Sequence, residues 1–335
     1  MRQIHRPAIV PPTLQIEGKG AEQADKHRTA KAVDPDAELT FPEHWNEPDV
    51  RGALYAMHGW VCAYCQRELP DNDRGDVEHF RPKRGGKGVT HSGYWWLAYA
   101  FDNYLLSCST CNRFTKVNHF PVESGTAHIV YATRNDVASE ARLLLNPVDD
   151  PVEDWLSVDC IDKLCPVREL DACARDPIGH ARGDATIRFL RLNINRKLIR
   201  ERIRARDGAQ ELYAEGKANP RKLEELRRRA SRYRPHGLTV RAFLHVFARD
   251  LTPPSMQEEI SWLLEEIDDL LRLDAACLER DLDDRACANQ VHELWWALAV
   301  LWKDPPPGTS AAAMETWLAA RGWKGEVEAL RAEIA

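Results

Sequence analysis

Hydrophobic and polar positions divide this chain into stretches of different periodicity. From residue 184 onward the pattern is helical. In "DATIRFLRLNINRKLIRERIRA" the apolar Ile187, Leu190, Ile194, Leu198 and Ile199 recur close to the spacing of one helix face. Residues 257–280 and 289–303 predict further amphipathic or buried helices. The run "DPPPG", Asp304 to Gly308, breaks the pattern before a last helical segment. A shorter helical pattern runs from Asp49 to Gly59. "DVEHF" (76–80) predicts a short strand, "FDNYLLSC" (101–108) a second strand or extended segment, and "STCNRFTK" (109–116) the opening of a helix. "LLLNPVDDP" (143–151) predicts a strand ended by a Pro-containing turn. Residues 1–45 are polar, with prolines at 7, 11, 12 and 35, and predict an extended arm. The expected fold class is α+β, mostly helical, with the arm followed by a cysteine-rich segment (46–151) and a helical segment (152–335).

Composition changes this picture little. The 335 residues are 44% hydrophobic and 29% charged, which suits a chain that buries a core. The N-terminal stretch has no apolar signal-peptide run, and the longest apolar run, near Leu294 to Trp302, is too short to cross a bilayer. A cytoplasmic protein without a membrane span is expected. The net charge of −6 does not mark the whole chain as a nucleic-acid binder, but its distribution is uneven. From Arg188 to Arg234 there are 16 Lys and Arg against 6 Asp and Glu. From Leu251 to Gln290 there are 3 against 11. Solvated helix faces account for such runs. So does a basic surface for a phosphate backbone beside an acidic region that contacts something else.

The nine cysteines include two pairs of identical spacing, Cys62-x-x-Cys65 and Cys108-x-x-Cys111. In a reducing compartment such pairs mean metal more often than disulfide. Four thiolates suit a closed tetrahedral Zn²⁺ site, structural rather than catalytic. The 42 residues between Cys65 and Cys108 exceed the gap of a plain zinc ribbon, so the zinc would clamp the ends of a sizeable insertion. Cys160, Cys165 and Cys173 offer a weaker second cluster, for which buried apolar packing is the simpler account.

The insertion holds Glu78-His79, then Asn103, and the second knuckle leads into Asn112 and Lys116, four residues apart on the expected helix. In this order, between two knuckles, these residues resemble the HNH (ββα-metal) endonucleases of the zinc-clamped branch. The stretches "EHF-RPK", "YWWLAYAFDN" and "CNRFTK-x-NHFP" resemble HNH components of bacterial anti-phage systems, Septu-like and retron-linked, some paired with an ABC-type ATPase. The likeness covers about residues 1–205 and is most specific over 60–151. It implies a small ββα-metal unit embedded in a helical protein. It also implies hydrolysis of phosphodiester bonds, most readily in DNA, and an ATPase as a partner.

The roles the resemblance implies fit the residue types. His79 would be the base that activates water, since an imidazole titrates near neutral pH. Glu78 and Asn112 would hold a catalytic Mg²⁺ or Mn²⁺ through oxygen. Asn103 would position the histidine. Lys116, Arg81 and Lys83 would meet phosphate oxygens. Glu78 stands where Asp is commoner in the wider family. His119 is either a further site residue or a surface histidine before Pro121. His91, in a Gly/Lys-rich loop, is expected to be exposed, and His58 is assigned no role. Tyr94, Trp95, Trp96, Tyr99 and Phe101 are expected to pack more than to stack on bases. Two other readings stay open: a non-catalytic zinc-clamped module that docks nucleic acid or a partner, and an RNA nuclease, for instance on tRNA, of the same fold.

Overall fold

A computed structural model describes residues 1–69, 74–158, 172–174, 177–278, 285–307 and 309–334. For residues 157, 172–174, 177–181, 273–278 and 285–288 it describes the backbone alone. In chain order the larger elements are helices α1 (Lys19–Val33) and α2 (Pro48–His58), strands β1 (Asp76–His79) and β2 (Tyr104–Ser107), and a π-helix (Thr110–Lys116). Then come α3 (Val152–Trp155), β3 (Leu156–Val158), β4 (Ala172–Ala174), α4 (Pro177–Phe189), α5 (Arg196–Gly216), α6 (Pro220–Arg229) and α7 (Gly237–Phe247). The chain closes with α8 (Met256–Leu278), α9 (Arg285–Lys303), α10 (Ala311–Arg321) and α11 (Lys324–Glu333). The architecture is mostly helical with two small sheets, β1 with β2 and β3 with β4, the latter pair antiparallel with Ser157 opposite Cys173. Among the described residues no helix is long and apolar enough to cross a membrane.

Two compact units interleave along the chain. One comprises residues 1–4, 60–94 and 106–254, and the other residues 5–59, 95–105 and 255–335. They therefore differ from the consecutive segments 46–151 and 152–335 that the sequence suggested. The second unit is built on α2 and α9. Every α2 residue from Asp49 to His58 is buried. Gly52 makes the approach possible, because a Cβ there would lie 2.4 Å from the Trp296 Cβ and 2.6 Å from the Glu293 carbonyl oxygen. Beside this contact the Arg51 guanidinium pairs with the Glu293 carboxylate at 3.2 Å, both groups buried.

The expected arm is not extended throughout, since α1 spans Lys19–Val33. Its Ala, Lys and Glu content favours helix, while only Gly20 and His27 are buried, so no apolar stripe advertises it. The prolines at 7, 11, 12 and 35 flank the helix and do not interrupt it.

In the first unit, α5, α6 and α7 close around Ala209, Leu212, Leu226, Val240, Phe243 and Leu244. The helical pattern expected from 184 onward is broken between α4 and α5. Arg191 takes a left-handed backbone (φ 51°), and Asn195 restarts the helix by accepting from the backbone N–H groups of Lys197 and Leu198. Ile194, expected on the apolar face, lies in this break and is exposed. The segment "LLLNPVDDP" forms no strand. An isolated bridge between Arg142 and Val122 lies just before it, and its order comes from Asp150, which accepts from the Asn146 backbone and from Arg142 and Arg182.

Candidate functional site

Four cysteines that are distant in sequence meet in the first unit. The Sγ atoms of Cys62, Cys65, Cys108 and Cys111 all lie within 4.8 Å of one another, and all four residues are buried. The first knuckle is a tight hairpin with a bridge between Val61 and Glu68, and the Gln66 N–H donates back to the Cys62 carbonyl at 3.0 Å. Gln66 is left-handed (φ 61°) and pinned there. Its side-chain amide donates to the Met1 carbonyl and its oxygen accepts from the Leu238 N–H. The Ala63 N–H donates to the Leu106 carbonyl at 2.9 Å, tying the first knuckle to the strand that leads into the second.

The donor set fits a metal ion such as Zn²⁺. Zn–S bonds of about 2.3 Å in a tetrahedron require S···S edges of about 3.8 Å, and the Cys65 and Cys108 sulfurs are 3.8 Å apart. Burial opposes ionising Cys62, yet contacts from Cys108, Cys111 and Cys65 hold that thiol well below its ordinary pKa, while Cys65 and Cys111 are pushed up. Four sulfurs this close share negative charge poorly without a cation. Of the other cysteines, Cys160 and Cys165 lie outside the described residues, and Cys173 is described in its backbone only.

β1 lies beside this cluster. Strand alternation places Asp76 and Glu78 on one side, and both carboxylates meet the π-helix. Glu78 is buried and takes the Lys116 ammonium at 2.5 Å and the Tyr64 hydroxyl at 3.2 Å. Burial pushes the Glu78 carboxyl above its ordinary pKa, against the pull of Lys116 and Tyr64. The Lys116 ammonium also donates to the His79 carbonyl at 3.0 Å, so one lysine spans the Glu78-His79 pair. Asp76 accepts from the Asn112 side-chain amide at 3.1 Å and from the Arg113 guanidinium at 2.8 Å. The helix expected here is π-helical, its wider turn closed by the Val117 N–H on the Asn112 carbonyl at 2.8 Å.

Each expected site residue can now be placed. The two knuckles converge, and Glu78, His79 and Lys116 are neighbours. Asn112 turns its amide to Asp76, not to Glu78. Glu78 and Asn112 carry the hard oxygens a divalent ion takes, but each is engaged by a different protein partner. Lys116 is 1% exposed, so its ammonium is not presented to solvent. Arg81 is likewise buried, donating to the Glu140 carboxylate at 2.8 Å and to the Val137 carbonyl at 2.8 Å. Lys83 is half-buried beyond Pro82. Asn103 belongs to the second unit, in a 3-10 turn just before β2, where its amide donates to the Leu97 carbonyl at 3.2 Å. His119 is exposed, with its ring 6.5 Å from that of Phe189. His58, Tyr94, Tyr99 and Phe101 are buried.

His91 is not exposed as expected. It is buried with Nε2 2.8 Å from the Asn118 carbonyl oxygen, while the Asn118 amide donates to the Gly85 carbonyl. Together these contacts fold the glycine-rich loop back on the end of the π-helix. Sequence reasoning also passed over Asp76 and Tyr64. Asp76 was discoverable, because it sits two residues before Glu78 on a strand and must share its face.

No model of a known protein family matches this chain, and no solved structure matches it. Over 120 residues the chain is 38% identical to the Septu protein PtuB of Bacillus mycoides (strain KBAB4). That alignment covers 34% of this chain and 40% of the relative.

Proposed function

We propose that this chain is an HNH-type endonuclease that hydrolyses phosphodiester bonds, DNA first, as the effector of a bacterial anti-phage system. One observation carries the reading. A short strand bearing Glu78-His79 is clasped to a helix bearing Asn112 and Lys116, and the helix grows directly out of a four-cysteine cluster. The similarity to a Septu protein supports the defence setting, and a Septu-like assembly would supply an ATPase partner. Zinc would be the ion that fastens the cluster.

In this reading His79 takes a proton from the attacking water, and Lys116 fixes the strand by holding the Glu78 carboxylate and the His79 carbonyl together. Glu78 and Asn112 would hold Mg²⁺ or Mn²⁺, which supplies positive charge against the phosphate when bound. Glu78 is available for this only when it is shared with, or released by, Lys116. That same buried pair favours a second reading, a zinc-clamped module that docks nucleic acid or a partner without cutting.

The experiment is cleavage of plasmid, linear DNA and total RNA, with Mg²⁺, Mn²⁺ or chelator, alone and with the partner ATPase supplied. Wild type should cut in a divalent ion, and His79→Ala should lose at least about 100-fold with zinc content unchanged. Equal cleavage by His79→Ala would remove the mechanism. No cleavage of any substrate by wild type would leave the docking module standing, and cleavage of RNA alone would transfer the reading to an RNA nuclease.

A further inference from the structure

Asn112 is held by backbone and side chain together. Its backbone N–H donates to the Cys108 carbonyl at 3.0 Å, and its own carbonyl accepts from the Val117 N–H at 2.8 Å. Its side-chain amide donates to Asp76 Oδ2 at 3.1 Å. The backbone bonds fix where the residue stands, between the second knuckle and the end of the π-helix. They leave the side-chain torsions open, and the last torsion of an asparagine is broad and roughly two-fold. The contact with Asp76 decides which end of the amide faces which way.

That contact has one polarity. A carboxylate accepts and does not donate, so it takes the amide nitrogen and turns the amide oxygen away. Asn112 Oδ1 has no partner among the described residues. The protein therefore engages the nitrogen of this side chain and leaves its oxygen, the atom a hard divalent ion takes. Asp76 is itself firmly placed. Arg113 Nε donates to its Oδ2 at 2.8 Å and Arg113 Nη2 to its Oδ1 at 2.5 Å, a two-pronged pair that fixes the carboxylate plane. The Asp76 side chain is only 11% exposed. β1 thus carries two carboxylates on one side with separate tasks. Glu78 meets Lys116 and Tyr64, and Asp76 meets Arg113 and the amide of Asn112.

We infer that Asp76 is a positioning residue for a divalent-ion site, holding Asn112 so that its side-chain oxygen is presented to the ion. The inference rests on the reading of Asn112 as an oxygen ligand of Mg²⁺ or Mn²⁺. The Asp76 charge is met by Arg113, so Asp76 acts through Asn112 and not on the ion. Fastening β1 to the π-helix needs only the ion pair with Arg113. The additional bond to Asn112 does something the ion pair does not, which is to remove the choice between the two ends of the amide. A ligand already turned the right way binds an ion without first giving up rotational freedom.

The test is Mn²⁺ binding to the zinc-loaded full chain, read from the electron paramagnetic resonance of free Mn²⁺, with plasmid cleavage in Mn²⁺ measured on the same samples. Asp76→Ala should weaken Mn²⁺ binding about tenfold or more. Asn112→Ala should weaken it at least as much. The double variant should lose no more than Asn112→Ala alone, because Asp76 then has nothing to position. Arg113→Ala removes the ion pair but leaves the bond to Asn112, and should weaken binding less than about threefold. Zinc content and circular dichroism report whether each variant is folded, and Asp76→Leu, of similar shape, replaces Asp76→Ala if the latter loses zinc. Unchanged affinity without Asp76, additive losses in the double variant, or an equal loss in Arg113→Ala would overturn the inference. So would a wild type that binds no Mn²⁺. The expected pattern of binding without any cleavage would keep Asp76 in its role and remove the nuclease reading. Cleavage by wild type with additive losses of binding would do the reverse.

Discussion

Lys116 and Glu78 show how one pair of side chains can decide what a site is able to do. Both are almost wholly buried, and their ion pair of 2.5 Å joins β1 to the π-helix. Removing one member of such a pair strands the other charge and typically costs about 3–5 kcal/mol. Lys116→Met should therefore destabilise the protein by that order in thermal or urea unfolding. Glu78→Gln in the same chain should recover part of the loss, because it removes the stranded carboxylate. The pH dependence follows from the direction of the Glu78 shift. Burial raises its folded pKa above the unfolded value of about 4.3. Its contribution is then largest below that unfolded value and is lost as pH rises through the folded one. Without Lys116 the folded value climbs further, so the Lys116→Met penalty should be small near pH 4 and grow toward pH 7. A penalty that does not vary with pH would mean Glu78 is not the group left unpaired. Arg81 and Lys116 were legible as basic residues near β1. That both are buried was not, because Glu140 and Glu78 reach them only through tertiary contacts.

At the scale of elements, α2 and α9 were readable because their apolar spacing is dense and uninterrupted, and dense apolar helices must be covered by something. Their mutual approach depends on Gly52, which no periodicity reveals. Gly52→Ala places a methyl within 2.4 Å of Trp296 and 2.6 Å of the Glu293 carbonyl, and the backbone cannot yield as a side-chain tip would. It should cost about 1–3 kcal/mol. Gly325→Ala, in α11, meets nothing within 4 Å and should stabilise by about 0.5–1 kcal/mol from helix propensity alone. Melting temperatures of the two variants should therefore move in opposite directions. The elements the sequence misjudged are those whose form is settled by partners. "LLLNPVDDP" is apolar enough for a strand but finds no neighbouring strand, and Asp150 organises it as a turn. "STCNRFTK" widens to a π-helix while placing Cys111 in the cluster and both Asn112 and Lys116 against β1. "GKGAEQADKHRTAKAV" folds as a helix on propensity with little burial.

At the scale of the whole molecule, the cysteine spacing was the strongest statement in the sequence, and it correctly brought together two knuckles 42 residues apart. Spacing could not say that the units interleave, because that depends on which distant helices share a core. The cluster belongs to the first unit, whereas α2, α8 and α9 belong to the second. Metal-linked stability should accordingly be unequal along the chain. Structural Zn²⁺ contributes on the order of 10 kcal/mol to the fold that creates its site. Purified protein should carry one zinc per chain by plasma emission. Cys65→Ser together with Cys108→Ser should abolish it and expose residues 60–94 and 106–122 to rapid amide hydrogen exchange. Amides of α2 and α9 should keep their protection, because their core of Val50, Leu54, Ala297 and Leu298 contains no part of the cluster. Loss of protection in both sets together would show that the cysteine cluster governs the folding of the whole chain and not of one unit.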